Sequence, residues 1–187
     1  MKSEITYFDQ VGKNNTSETL NLVRERFLKG DIKHVLIATN EGNTALEAAS
    51  LLKDTDARII AISLDRNWDG KLRLSAETQK KIEAMGHVVY KGLMIFEFHR
   101  FTHDLSSKLI AEALYLFGQG IKVCVELILM SVSGELIETG EKVIAIAGTH
   151  RGADTAIVAT AAPLYHFNRL EINEILCKPY HPRMKED

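Results

Sequence analysis

Two apolar runs, Val143–Ala147 and Thr155–Ala161, stand so close together that they leave the chain little choice of geometry. Each run is continuous rather than alternating, which fits a strand buried on both faces of a helix-covered sheet. A parallel pairing between them needs a crossover of roughly ten or more residues, and only Gly148–Asp154 lies between them. The second strand must therefore return antiparallel to the first. The connecting loop reads Gly-Thr-His-Arg-Gly-Ala-Asp. Glycine takes left-handed dihedrals and lets a ligand approach the backbone closely. Successive N–H groups in such a loop form a concavity suited to an anion. A tight hairpin whose glycines serve geometry alone is the plainer reading of the same residues.

The remainder alternates strands with helices. Asn15 followed by Glu18 is a capping-box pattern ahead of Leu20, Val23 and Phe27 at helical spacing, and Gly30 closes that helix. His34–Thr39 reads as a buried strand running into a loop, Asn40-Glu41-Gly42-Asn43-Thr44, and a helix with Leu46, Ala49, Leu51 and Leu52 inward. A helix N-terminus carries N–H groups without intrahelical partners and roughly half a positive charge, so this loop can hold a phosphate. Capping by Asn43 is the ordinary alternative. Arg58–Ser63 is the next strand, and a polar connection, Leu64–Leu74, holds the only tryptophan, Trp68. Ser75 caps a helix that runs to Met85 and ends at Gly86, and His87–Tyr90 is a third strand.

Gly92–Phe101 is apolar and aromatic without a clear period, as in a loop packed over the sheet or an interface segment. His99 and His103 have the spacing of zinc-protease ligands, but Arg100 stands where a glutamate is needed and no third ligand is in register. They read as a structural pair. A helix over Asp104–Phe117 would turn Leu105, Leu109, Ala113 and Leu116 inward. After Gly118-Gln119-Gly120 comes Ile121–Val132, apolar nearly all round and hence a well-buried helix. Lys122 sits in its first turn, against the helix dipole. An anion there would relieve the conflict, and snorkelling of the lysine to water is the alternative. Glu171–Lys178 suggests a last edge strand, ended by Pro179 and Pro182.

Right-handed crossovers carry the first three strands outward in one direction. The long connection Gly92–Glu141 then allows a return, so the Val143 strand lies beside the His34 strand. This predicts a three-layer α/β/α domain with a mixed sheet of order 3-2-1-4-5, the fifth strand antiparallel. Its switch point falls between strands one and four, where open α/β sheets bind ligands at the strand C-termini. The loops Thr39–Thr44 and Gly148–Asp154 overhang that crevice, and the Gly120 end of the buried helix points to the same edge. The candidate ligand contacts are therefore Thr39, Asn40, Gly42, Asn43, Thr44, Gly120 and Lys122, with Gly148, Thr149, His150, Arg151, Gly152, Ala153, Asp154 and Thr155 from the hairpin loop. Gly152→Val is expected to abolish binding and spare the fold. The Asp154 carboxylate is expected to turn away from a phosphate, toward the loop's own N–H groups or toward ligand hydroxyls.

Composition narrows the partners. At 187 residues the chain is sized for a single domain. A net charge of -2 gives no basic field for nucleic acid. Cys124 and Cys177 lie far apart among apolar neighbours and read as reduced core residues. The start, Met1-Lys2-Ser3-Glu4, lacks the apolar region of a signal peptide, and no apolar segment approaches the ~20 residues of a membrane span. A soluble cytoplasmic protein is expected.

Several stretches resemble the C-terminal α/β domain of pyruvate kinase, in the stand-alone form found as small, mostly archaeal proteins. They are Phe117-Gly-x-Gly-x-Lys-Val-x-Val-Glu126, Gly140-Glu-x-Val-Ile-Ala-x-Ala-Gly-Thr149 and Arg151-Gly-Ala-Asp-Thr-Ala156. The ending Glu174-Ile-Leu-Cys-Lys-Pro179 and the start Asn15-Thr16-x-Glu18-Thr19-Leu20 are also similar, whereas Leu64–His103 departs from the pattern. The resemblance implies the same strand order and flavin mononucleotide (FMN) as a ligand. Because the phosphoenolpyruvate-binding barrel is absent, it does not imply kinase catalysis. Three function classes follow. One is a module binding a phosphorylated small molecule, FMN foremost, in a sensing or redox role. Another is an enzyme acting on a phosphorylated metabolite through Lys122, His150, Arg151 or Asp154. The last is an oligomerising structural domain without a ligand. A homo-oligomer, no metal and no membrane partner are expected.

Overall fold

The computed structural model describes residues 2–64, 73–98 and 105–181. Its sheet has seven strands, in chain order β1 (Thr6–Phe8), β2 (His34–Ala38), β3 (Arg58–Leu64), β4 (Val88–Gly92), β5 (Lys142–Ala147), β6 (Thr155–Thr160) and β7 (Glu171–Pro179). Their spatial order is β1-β7-β6-β5-β2-β3-β4. The β4-β3-β2-β5-β6 portion is the predicted 3-2-1-4-5 sheet. Its first four strands are parallel, and β6 runs back against β5 with Ala147 opposite Thr155.

Helices α1 (Thr16–Phe27), α2 (Asn43–Leu51) and α3 (Ala76–Ala84) cover one face. Leu20, Val23, Phe27, Ala48 and Ala49 pack there on Val35, Ile37, Ile144, Ile146 and Val158. The other face carries the longest helix, α5 (Gln119–Ser133), whose Ile121, Cys124, Leu127 and Ile128 meet Leu36, Ile60, Val143, Ala145 and Ile157. Alternate residues of each central strand thus enter opposite cores, as period-two geometry requires. That is why Val35–Ala38 of β2, Val143–Ala147 of β5 and Ala156–Ala159 of β6 are unbroken apolar runs. Full burial of each such side chain stabilises by about 1.5–3 kcal/mol. Both cysteines are free and buried.

Helix α4 (Leu105–Tyr115) lies outside α5, together with a 3-10 turn at Ile95–Phe98. Here the expected facing is reversed. Ile110, Ala111, Leu114 and Tyr115 pack toward Phe96, Val125 and Leu129, while Leu105, Leu109, Ala113 and Leu116 face solvent. The sequence offers two apolar stripes. The inward one carries the small Ala111, which permits close helix packing, and Tyr115, whose ring lies 5.6 Å from the Lys122 ammonium.

Two other expectations change. The C-terminal strand forms, but near Cys177–Pro179 it is not an edge, because β1 pairs with it in parallel. Asn15 caps nothing; its Nδ2 donates to the Gln10 carbonyl at 2.7 Å. Ser75 does cap α3, its Oγ accepting the Thr78 N–H at 3.0 Å. Trp68, His99, His103 and Pro182 lie outside the described residues. Among the described residues no helix is long and apolar enough to cross a membrane.

Candidate functional site

Strands β2 and β5 are neighbours, and their C-terminal ends lead into the two loops read from the sequence. The β5–β6 loop is built around Asp154, which has no solvent exposure. Its Oδ2 accepts the Gly12 N–H at 2.7 Å and the Thr149 N–H at 3.1 Å, and its Oδ1 accepts the Thr155 hydroxyl at 2.8 Å. The carboxylate is directed inward, toward its own loop and the segment ahead of α1. The glycines serve this packing as well. A Cβ on Gly148 would fall 2.6 Å from the Gly152 carbonyl oxygen. Gly152 has φ +72°, and a Cβ there would fall 2.4 Å from Thr16 Oγ1 and 2.6 Å from Lys13 Cα. Its near side is thus covered by protein. The Ala153 N–H donates to Thr16 Oγ1 at 3.0 Å and closes the same contact.

In the β2–α2 loop, Thr39 Oγ1 accepts the Gly42 N–H at 3.0 Å. Gly42 is the residue before α2, at φ +93°, and no side chain caps the helix. Asn43, which could have capped it, instead reaches Glu41 at 3.4 Å. Helix α5 likewise begins after a glycine, Gly118 at φ +123°, without a side-chain cap. Its first turn abuts the hairpin: a Cβ on Gly120 would fall 2.1 Å from Thr155 Oγ1. Two helices without a side-chain cap therefore start at this sheet edge, one on each face. Unpartnered N–H groups and the dipole make such ends attractive to anions.

Asn40, Asn43, His150 and Arg151 are exposed at this edge, whereas Thr39, Thr44, Thr149, Ala153 and Thr155 are buried. Arg151, its side chain 81% exposed, has Glu41 as its one ion-pair partner among the described residues, at 3.8 Å. His150 holds φ +63°, a left-handed conformation uncommon outside glycine, with histidine among the side chains that adopt it more often.

Lys122 is elsewhere. It is 1% exposed, on the side of α5 that faces α4, and its Nζ lies 2.9 Å from Glu97 Oε1 and 2.7 Å from Glu126 Oε2. Glu126 Oε1 also accepts the Phe96 N–H at 2.8 Å. Burial pushes the lysine pKa down, but the two carboxylates outweigh it and hold the ammonium charged. Burial raises Glu126, as expected where two acids share one base in a dry site. The sequence reading missed these partners, and it missed Gly12, Lys13 and Thr16. Glu126, four residues beyond Lys122, was the one available signal.

A broad open groove of about 920 Å³ lies at the opposite edge, lined by Lys33, His34, Arg58, Glu141 and Lys142 among others. Within it His34 hydrogen-bonds Glu141, and Lys142 pairs with Asp31. It also sits at the strand N-termini, away from the switch point. Among the described residues no group of three or more His, Cys, Asp or Glu is arranged to hold a metal ion. Compared with known families, residues 17–159 match the one described as pyruvate kinase, alpha/beta domain. The match covers nearly all of α1 through β6, including both loops, and leaves out β1, Gly12–Thr16 and β7.

Proposed function

The chain belongs to the pyruvate kinase alpha/beta-domain family, and from that premise we propose that it binds a phosphorylated small molecule, FMN first among them, in the crevice between β2 and β5. The observation that carries this reading is the pair of uncapped helices, α2 and α5, starting on either side of one sheet edge. A phosphate suits their open N–H groups, and the exposed Arg151 guanidinium supplies a forked donor beside them. Asn40 and Asn43 offer polar contacts for ribityl hydroxyls. Asp154 and Lys122 are satisfied inside the protein, so the binding set reduces to the α2 and α5 first turns with Asn40, Asn43, His150 and Arg151. Bound flavin would supply electron transfer, and a sensing or redox role in the cytoplasm is the biology proposed.

A visible spectrum of the purified protein and a calorimetric titration with FMN and riboflavin test this. Saturable FMN binding, weakened about tenfold or more in Arg151→Gln while riboflavin binding stays unchanged, is the expected result. Absence of saturable binding of any phosphorylated ligand by the folded protein would overturn the reading and leave the domain a structural one. His150, held at positive φ beside Arg151, favours one second reading, an enzyme acting on a phosphorylated metabolite. Turnover lost in His150→Ala, with ligand affinity kept, would select it.

A further inference from the structure

Helix α4 is apolar on two sides, and only one is used. Beyond the residues packed on α5, Leu105, Leu109 and Leu116 form a single outward stripe at 64%, 59% and 67% exposure. Ala113, also exposed, borders one side of it. The spacing places Leu105 and Leu109 within a narrow arc of the helix surface, and Leu116 continues the stripe from the turn just past the last helical residue. Together they present on the order of 400 Å², the scale at which a contiguous apolar patch on a monomer commonly marks an interaction site.

The charges beside the stripe identify the occupant. Lys108 and Glu112, one turn apart, lie on the same flank, and both are exposed without an ion-pair partner among the described residues. In an antiparallel pair of identical helices, like flanks face each other. A two-fold axis between Ile110 and Ala111 sets Leu105 level with the partner's Leu116. It also leaves Leu109 and the partner's Leu109 on either side of the axis, about 4.5 Å apart in level, three residues' rise. The same axis puts Lys108 within about 1.5 Å, one residue's rise, of the level of the partner's Glu112. The reciprocal pair forms by symmetry. A surface that satisfies its own charges about a two-fold axis is an isologous interface. We infer that α4 is the dimerisation surface of this protein, joining it to a second copy through an antiparallel α4–α4 contact.

This inference does not depend on the ligand reading. The apolar patch is about half of the ~800 Å² per partner that a standard interface buries, so flanking residues must contribute and the dimer belongs in the micromolar class. Sedimentation equilibrium of the full chain tests the contact. The wild type should reach twice the 20.9 kDa chain mass, and Leu109→Glu should raise the dimer dissociation constant about 100-fold. The folding of each variant is checked by its thermal melt, which an exposed substitution should barely move. Charge reversal is the sharper arm. Lys108→Glu should weaken the dimer about tenfold or more, and the double change Lys108→Glu/Glu112→Lys should restore it. A monomeric wild type at high micromolar concentration overturns the inference. So does a dimer indifferent to Leu109→Glu, or a double reversal that fails to restore what the single one lost.

Discussion

Asp154 offers the clearest quantitative test of how the hairpin loop is held. Its carboxylate accepts two backbone N–H groups and one hydroxyl, all buried. A hydrogen bond to a charged acceptor contributes about 1.5–3 kcal/mol, against about 0.5–1.5 for a neutral one. Asp154→Asn can keep the amide oxygen on the Gly12 and Thr149 N–H groups and turn its NH₂ to Thr155. It should therefore lose about 1 kcal/mol per backbone bond, ~2 in all. Asp154→Ala strands both N–H groups in a dry site at about 1–3 kcal/mol each, ~4 together. For a domain of this size each kcal/mol moves Tm by about 2–4 °C. The expected losses are ~4–8 °C for Asn and ~8–16 °C for Ala. Circular dichroism melts at neutral pH measure them, and hydrogen exchange at the Gly12 and Thr149 amides locates them. FMN affinity should be nearly kept in the Asn variant. A wild-type Tm for Asp154→Asn, or an Ala variant no less stable than Asn, would refute the bracing argument. Lost FMN affinity with stability intact would mean that the carboxylate reads ligand hydroxyls.

Gly152→Val should damage the fold, contrary to the expectation from sequence. Its φ of +72° and the Lys13 Cα at 2.6 Å from a Cβ add strain of about 1–3 kcal/mol before any displacement, visible as a lower urea midpoint. Lys122→Gln should destabilise by about 3–5 kcal/mol, the cost of leaving buried charge without its partner. It should leave the ratio of FMN to riboflavin affinity unchanged, and a selective loss of FMN would return Lys122 to the ligand site. Acid should weaken the fold through Asp31 and Glu174, both held below their ordinary 3.8 and 4.5 by Arg26. The folded state binds these protons less readily than the unfolded one, so the stabilisation is complete above about pH 4.5 and fades as pH falls further. Denaturant midpoints measured across that range should drop less steeply in Arg26→Met.

What the sequence revealed depended on how local the deciding physics was. The antiparallel return of β6 followed from the reach of a short loop, and the burial of α5 from an unbroken apolar run. Strand β1 was invisible because Thr-Tyr-Phe is too short to show a period. Helix α4 was misoriented because two apolar stripes compete within it, and only the tertiary partner decides between them. The anion signals at the loops pointed to the sheet edge where α2 and α5 both begin. They could not tell a glycine that admits a ligand from one that admits Lys13, since Gly12 and Asp154 are separated by 142 positions. The isolated positive charge on Lys122 looked available for the same reason. Glu126 was one turn away, but Glu97 reaches it from a segment with no readable period.

The pairing of β1 with β7 also bears on how the protein is made. Thr6–Phe8 leaves the ribosome before its partner, Cys177–Pro179, which follows roughly 170 positions later. At about 5–20 residues per second, that strand waits some ~10–35 s with its backbone unpaired. Every strand of the central sheet can dock in the meantime. The Gly12 amide is tethered only a few residues beyond β1, so the pairing with β7 also helps to fix the brace on Asp154. A chain that stops short of β7 therefore leaves β1 unpaired, and with it loses one of the anchors of the segment that braces the β5–β6 loop.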